Sequence, residues 1–354
     1  QILFAPASIV GLIEGIATAT QNIVQGFSGS LSDKIQNQKL LAIIGYALAA
    51  FSKPFVGISN IWPEVLGARF FDRLATGIRS APRDGLIAQS ADDRHKGKAF
   101  GLEGIGDNLG AFLGPILAVL LLFALHLNIR TIFLLTFFPA IISAVLILFV
   151  KERKITKKVD DKSSNTSQIA SDISLRHFPT PYWKYILITA IFGVGNSSNA
   201  FLILRTKDLG IPLITTILIY GGFNLVAAIS SFPAGSLSDK LGRKKILFAG
   251  FGIFTLTYIG FALSTNIFLI GFLFILYGVF SGLYRAVGKA TAVDFVTHSR
   301  RASAVGWYAT IVGLSGLFAS IIAGQLWVAI SPESVFYFGT ITGILGIISL
   351  IFLL

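Results

Sequence analysis

One hexapeptide occurs twice in this chain, as Gly29-Ser30-Leu31-Ser32-Asp33-Lys34 and as Gly235-Ser236-Leu237-Ser238-Asp239-Lys240, 206 positions apart. Each copy stands where a long apolar stretch gives way to charge. The repeat extends beyond the hexapeptide, because Arg79 and Arg285 are also 206 apart, and Ala99-Phe100-Gly101 and Ala304-Val305-Gly306 are 205 apart. Several matches at nearly one offset mark a duplicated bundle, and an internal duplication restricts the fold to two related halves.

The material being duplicated is apolar. Hydrophobic residues make up 54% of the chain and charged residues 13%, with a mean hydropathy of +0.76, whereas soluble domains carry about 25% charged residues. This composition excludes a soluble domain and predicts an all-α polytopic membrane protein, since a spanning segment needs about 20 mostly apolar residues. Such segments lie near 9–28, 40–59, 62–83, 98–123, 127–150, 184–204, 212–233, 246–264, 267–290, 302–324 and 334–354. Eleven is odd for a two-fold duplication, and the chain opens on Gln1 with few residues before the first segment. The expectation is therefore two pseudo-symmetric six-helix bundles with the first helix missing and about 11 spans present.

Net charge is +12, but its placement argues for a membrane and not for nucleic acid. If the 29–39 turn is cytoplasmic, alternate loops collect 20 of the 29 Lys and Arg, and the opposite loops hold only Arg130, Arg205 and Lys207. That is the positive-inside asymmetry. The segment 151–183 is charged, rich in Ser and Asn and without apolar periodicity, so it reads as a flexible cytoplasmic linker. It divides the chain into an N-terminal bundle, 1–150, and a C-terminal bundle, 184–354. Trp62, Trp183 and Trp327 fall at predicted helix ends, as interfacial anchors do. There is no Cys, and the four His residues have no ligand-like spacing. No metal site or cofactor is expected, and a monomer in a prokaryotic inner membrane is.

Around the duplicated hexapeptide the chain resembles the major facilitator superfamily. The loop signature of that family runs Gly, three residues, Asp, Lys or Arg, one residue, Gly, Arg, Arg or Lys. Gly235, Asp239, Lys240, Gly242, Arg243 and Lys244 match it throughout, while the first copy keeps Gly29, Asp33 and Lys34 but ends Gln36-Asn37-Gln38. The resemblance implies a gating role for these loops. A second match, Gly101, Gly110 and Gly114-Pro115, is similar to the antiporter helix motif of drug-exporting members, although its closing pair is Ala118-Val119.

Charges inside the spans need a separate reason, because an ionised side chain at the bilayer centre costs about 2.5–3.5 kcal/mol or more. Arg69, Asp72, Arg73, Thr76, Arg79 and Arg83 fall within a stripe about 120° wide on one helix. Such a stripe must face protein or a water-filled cavity, with Asp72 bridging to Arg69 or Arg73 as the structural alternative. Glu14, Thr18, Gln21 and Gln25 share one face of the first span, and Glu103 and Asp107 stand at i, i+4 on the glycine-rich helix. The expected partner of those two acids is the Arg stripe one helix earlier, and Gly106, Gly110 and Gly114 are expected to pack against a neighbouring helix. In the second half Asn196, Asn199 and Asn224 offer uncharged polar groups, and Arg285 with Lys289 forms a cationic i, i+4 pair.

No phosphate-binding Gly-Lys-Ser or Gly-Lys-Thr loop occurs, which argues against an ATP-driven pump, and nothing pairs a nucleophile with a base as an enzyme would. The resemblance implies a secondary transporter in which two bundles rock around a central cavity. Proton-coupled export of small amphipathic compounds is the first expectation, with Glu14 or Asp107 as the coupling carboxylate. Proton-coupled uptake of a polar or anionic metabolite and a non-transporting receptor or scaffold are the alternatives.

Overall fold

The computed structural model describes residues 7–150, 152 and 178–354, the side chains of residues 7–17, 115, 213, 214 and 217 excepted. The described residues build helices and no strand: α1 (Ala7–Ile35), α2 (Gln38–Ile58), α3 (Trp62–Ser90), α4 (Lys96–Phe123), α5 (Ile129–Leu135), α6 (Phe137–Leu148), α7 (Thr180–Gly193), α8 (Ala200–Asp208), α9 (Leu213–Leu241), α10 (Arg243–Leu263), α11 (Ile267–Asp294), α12 (Arg301–Ala329) and α13 (Pro332–Leu353). Eight helical segments among the described residues are long and apolar enough to cross a membrane. The chain is an integral, polytopic membrane protein, and its outward residues suit lipid: Phe268, Phe352 and Leu256 are all strongly exposed.

Three expectations change. The expected continuous span 184–204 is interrupted between α7 and α8 over residues 194–199, Val-Gly-Asn-Ser-Ser-Asn. Glycine and short polar side chains that compete for backbone hydrogen bonds account for the break. The expected span 62–83 is helical within α3 but too charged to stand among the eight apolar segments. The duplicated hexapeptide is not a turn: Gly29–Lys34 lies in the last turns of α1 and Gly235–Lys240 in those of α9. The turns follow it, at Gln36 with φ 55° and at Gly242 with φ 93°. A left-handed residue after the last helical turn is the usual terminator. Most of the expected linker 151–183 lies outside the described residues. Within it, Glu152 accepts from the backbone N–H of Gln38 (2.7 Å) at the start of α2, where the helix has unpaired donors.

The chain packs as two compact units. One comprises residues 1–90, 118–179 and 296–310. In it α3 lies between α1 and α2. A Cβ on Gly77 would stand 2.7 Å from Gln21 O, and the Ser28 hydroxyl donates to Gly77 O at 2.9 Å, so α1 and α3 touch backbone to backbone here. The second unit comprises 91–117, 180–295 and 311–354. Its core is aromatic: Phe192 stacks on Phe251 at 4.0 Å, and Phe254, Tyr258, Phe280 and Phe336 are buried around them. Such rings add about 0.5–1.5 kcal/mol per pair beyond their burial. In the same unit α4 runs antiparallel against α9, where a Cβ on Gly101 would meet Ser231 O at 2.7 Å.

Candidate functional site

In the first unit, the polar stripe of α3 is satisfied by α1 and α2. Asp72, buried, accepts from Lys53 Nζ at 3.1 Å and from Ser52 Oγ at 3.3 Å. The bridge expected to Arg69 or Arg73 is thus made by Lys53, which α2 supplies. Arg73 Nη1 donates to Gln21 Oε1 at 3.1 Å, so two predicted site residues from different helices do meet. Arg79 lies over the Tyr46 ring, 4.2 Å from its centre, a cation–π contact in place of a carboxylate. Arg69 is half-buried on the same helix. Arg83 pairs with its neighbour Asp84 at 2.8 Å. Glu14 lies in α1, but its side chain is outside the described residues.

The two acidic residues of the duplicated motif do the same thing in separate units. Asp33 Oδ2 accepts from the Ser303 N–H at 2.6 Å, in the first turn of α12, and Oδ1 accepts from Gln38 Nε2 at 3.1 Å. Burial pushes the Asp33 carboxyl up to about 6, against the hydrogen bonds of Ser303 and Gln38 that lower it. Asp239 accepts from the N–H groups of Gly97 (2.8 Å) and Lys98 (2.9 Å), in the first turn of α4. A carboxylate at a helix N-terminus meets unpaired donors and the positive end of the macrodipole. The complete second copy adds Arg243, whose Nη1 stands 2.7 Å from Asp239 Oδ1 and whose Nε donates to Asp294 Oδ2 at 2.8 Å. Lys96 reaches the other oxygen of Asp294 at 3.1 Å. Lys240 is exposed, and Lys244 Nζ donates to Ile351 O at 3.2 Å. Arg301, at the start of α12, is buried and donates to Ala88 O at 2.6 Å.

Within the second unit, four charges form a chain between α4 and α11. Lys289 Nζ stands 3.1 Å from Glu103 Oε2, Arg285 Nη2 stands 3.2 Å from Glu103 Oε1, and the same Nη2 pairs with Asp107 Oδ2. The inner end is buried, with Glu103 7% and Lys289 11% exposed at the side chain, and the outer end is open, with Asp107 43% and Arg285 35% exposed. Among the described residues, the acids of α4 are thus met by the cations of α11. Two antiparallel i, i+4 pairs interdigitate because one turn of each helix advances about 5.4 Å. Of the glycine pattern on this helix, Gly101 packs tightly on α9, while a Cβ added at Gly106, Gly110 or Gly114 would meet no other described residue within 4 Å. The expected helix contact is thus made by Gly97, Gly101 and Gly104, which lie closer to the helix start. The Pro115 side chain is outside the described residues.

The break between α7 and α8 brings Asn196 and Asn199 to one hydroxyl. Tyr277 on α11 stands 3.2 Å from Asn196 Oδ1 and 3.0 Å from Asn199 Oδ1 and donates to one at a time. Tyr277 stacks on Phe223, which stacks on the partly exposed Tyr220. Asn224 is nearly buried and donates to Tyr220 O of its own helix at 2.9 Å. Tyr277 carried no signal in sequence beyond its aromatic character.

The chain matches the family model for the Major Facilitator Superfamily over residues 3–217 and 185–354. An uncharacterised MFS-type transporter of Methanocaldococcus jannaschii is 33% identical over 353 residues, which cover 97% of this chain and 85% of that protein. The proton-coupled antiporter flippase LtaA of Staphylococcus saprophyticus is 25% identical over 94% of this chain and 81% of its own length. Among solved structures, the Escherichia coli fucose:proton symporter FucP superposes with a TM-score of 0.78 at 13% identity, covering 98% of this chain and 91% of that one. The human organic anion transporter MFSD10 gives 0.76 at 12% identity, over 96% and 83%. These two show the fold. By the family model and the 33% identical relative, the chain belongs to the Major Facilitator Superfamily and is a transporter, not an enzyme.

Proposed function

We propose that the chain is a proton-coupled secondary transporter that works by alternating access and exports small amphipathic compounds in exchange for protons. The observation that carries this reading is the charge chain of the second unit. Its outermost member, Asp107, is a half-exposed carboxylate on the helix with the antiporter-like glycine pattern, held by Arg285. An acid in a span is costly to retain without use, and one that exchanges an ion-pair partner for a proton fits a coupling step. LtaA, named a proton-coupled antiporter, is among the relatives. In this proposal the halves 1–150 and 184–354 are the moving bundles, joined by 151–183. Gln21, Arg73, Asn196, Asn199 and Asn224 are proposed to line the cargo path, and the loops around Asp33 and Asp239 to control opening.

The test uses proteoliposomes with an imposed pH gradient and ethidium as a fluorescent amphipathic probe. Gradient-driven ethidium movement is expected in the wild type and abolished by Asp107→Asn, while ethidium counterflow without a gradient survives. Full gradient-driven movement in Asp107→Asn would remove Asp107 from coupling.

A further inference from the structure

The break between α7 and α8 gathers three oxygens around a single hydrogen. Tyr277 Oη has one proton to give, and Asn196 Oδ1 and Asn199 Oδ1 face it from 3.2 and 3.0 Å. Neither amide oxygen takes another hydrogen bond among the described residues. One acceptor is therefore always left over, and both asparagines are half-buried, within reach of solvent or of a ligand.

We propose that this spot is a cargo subsite for a planar aromatic compound with an N–H or O–H donor on its ring; the proposal rests on the reading that Asn196 and Asn199 line the cargo path. A donor from the ligand supplies the hydrogen that the hydroxyl cannot give to both amides at once. A site built around such a bond rejects an analogue that lacks it, because the acceptor then loses its water and gains no partner.

The break is held in place by its own unit. Gly195 presses on α13, where a Cβ would overlap Thr342 and stand 3.1 Å from Gly339 Cα, and the Ser198 N–H donates to Ser320 Oγ of α12 at 3.1 Å. With the backbone fixed from that side, both asparagines are presented to Tyr277 of α11. The ring preference rests on a separate observation. Tyr277 stacks on Phe223 with centres 5.4 Å apart, and Phe223 stacks on Tyr220 at 5.4 Å. Tyr277 and Phe223 are buried, whereas Tyr220, the last ring, is partly exposed. A stack that ends on a partly exposed ring accepts a further flat ring. Charge is set back from these groups: Arg285 follows Tyr277 by eight residues, about 12 Å along α11, and Arg205 follows Asn199 by six, about 9 Å along α8. Selection at this spot is by ring and donor.

The test is equilibrium binding to the purified full chain at fixed pH, read from dye fluorescence. Ethidium carries two amino groups on its ring system, and 5-ethyl-6-phenylphenanthridinium is the same cation without them. The wild type is expected to bind ethidium about fivefold more tightly, the worth of one net hydrogen bond. Asn199→Leu and Asn196→Leu should each abolish the preference, because one hydrogen then serves one acceptor. Tyr277→Phe keeps the stacked ring and should raise the preference, since no hydroxyl competes with the ligand for the amides. A purely structural role would weaken both dyes alike in all three variants. Equal affinities in the wild type would mean that one amide is turned to donate to the hydroxyl, and would overturn the proposal. A preference unmoved in both asparagine variants, a preference lowered in Tyr277→Phe, or binding of neither dye would overturn it as well. Equal affinities together with a sodium-induced rise in melting midpoint that Asn199→Leu removes would assign the three oxygens to a cation instead. Should one asparagine variant not fold, the other carries its arm and Tyr277→Phe keeps the opposite sign. Full gradient-driven ethidium movement in Asp107→Asn would sink the coupling reading and leave the dye preference standing, and equal dye affinities would do the reverse.

Discussion

Gln36 and Gly242 occupy the same place in the two copies of the loop, and both sit at positive φ. Only glycine takes that conformation without strain; another residue costs roughly 1–2 kcal/mol. Gln36→Gly is therefore expected to stabilise the chain by about 1 kcal/mol, seen as a higher midpoint in a thermal melt in detergent. An unchanged or lower midpoint would mean that the Gln36 side chain, which donates to Asp33 O, returns as much as the strain takes. Asp33 lies three residues before it and past the expected span 9–28. Its carboxyl is raised to about 6 from 3.8, so the folded chain holds a proton there that the unfolded chain releases. The stability this contributes is full below about pH 4 and is lost as pH rises through 6. Asp33→Asn is neutral throughout, so its melting midpoint relative to the wild type should climb between pH 5 and 7. A flat difference over that window would contradict the burial of the charge.

At the scale of the helix, α4 has one end locked and the other open. A Cβ at Gly101 would meet the backbone of α9, whereas one at Gly110 would meet no other described residue within 4 Å. Gly101→Ala is expected to cost about 1–3 kcal/mol, because backbone cannot step aside for a methyl group. Gly110→Ala should be neutral or gain about 0.5–1 kcal/mol from helix propensity. Thermal melts of the two variants check this, and equal losses would place Gly110 in a packed interface. Apolar segment length was enough to place most of the helices in advance. The break at 194–199 was not legible, since Leu, Ile and Phe on both sides read as one apolar run and the cost of the polar insert depends on what meets it. The acidic pair on α4 and the cationic pair on α11 were each visible as i, i+4 spacing. That they answer one another was not, because 178 residues separate Arg285 from Asp107 and no local pattern records which helices become neighbours. For the same reason no local pattern names Lys53 as the partner of Asp72.

Across the whole molecule, the packing units draw on both sequence halves. Residues 296–310 pack with the unit that holds Asp33, and residues 91–117 pack with the unit that holds Asp239. Each motif carboxylate thus caps a helix that begins in the other half of the sequence: Asp33 the start of α12, Asp239 the start of α4. The hexapeptide repeat announced the duplication, and the exchange of helix starts is its consequence in three dimensions, since each half has one motif copy and one helix to be capped. The duplication predicts that the two copies lie on one side of the membrane, together with the starts of α4 and α12. The 20-to-3 partition of loop Lys and Arg predicts that this side is the cytoplasm. Labelling positions should be exposed, which excludes Ser32 and Ser238, both buried, and favours Lys34 and Lys240. In this Cys-free chain, single cysteines at Lys34→Cys, Ser164→Cys and Lys240→Cys are expected to react with an impermeant maleimide in inside-out vesicles and to stay unlabelled in intact cells. Opposite sidedness of Lys34→Cys and Lys240→Cys would break the two-fold relation itself. All three reacting only from outside would keep the relation and invert the orientation.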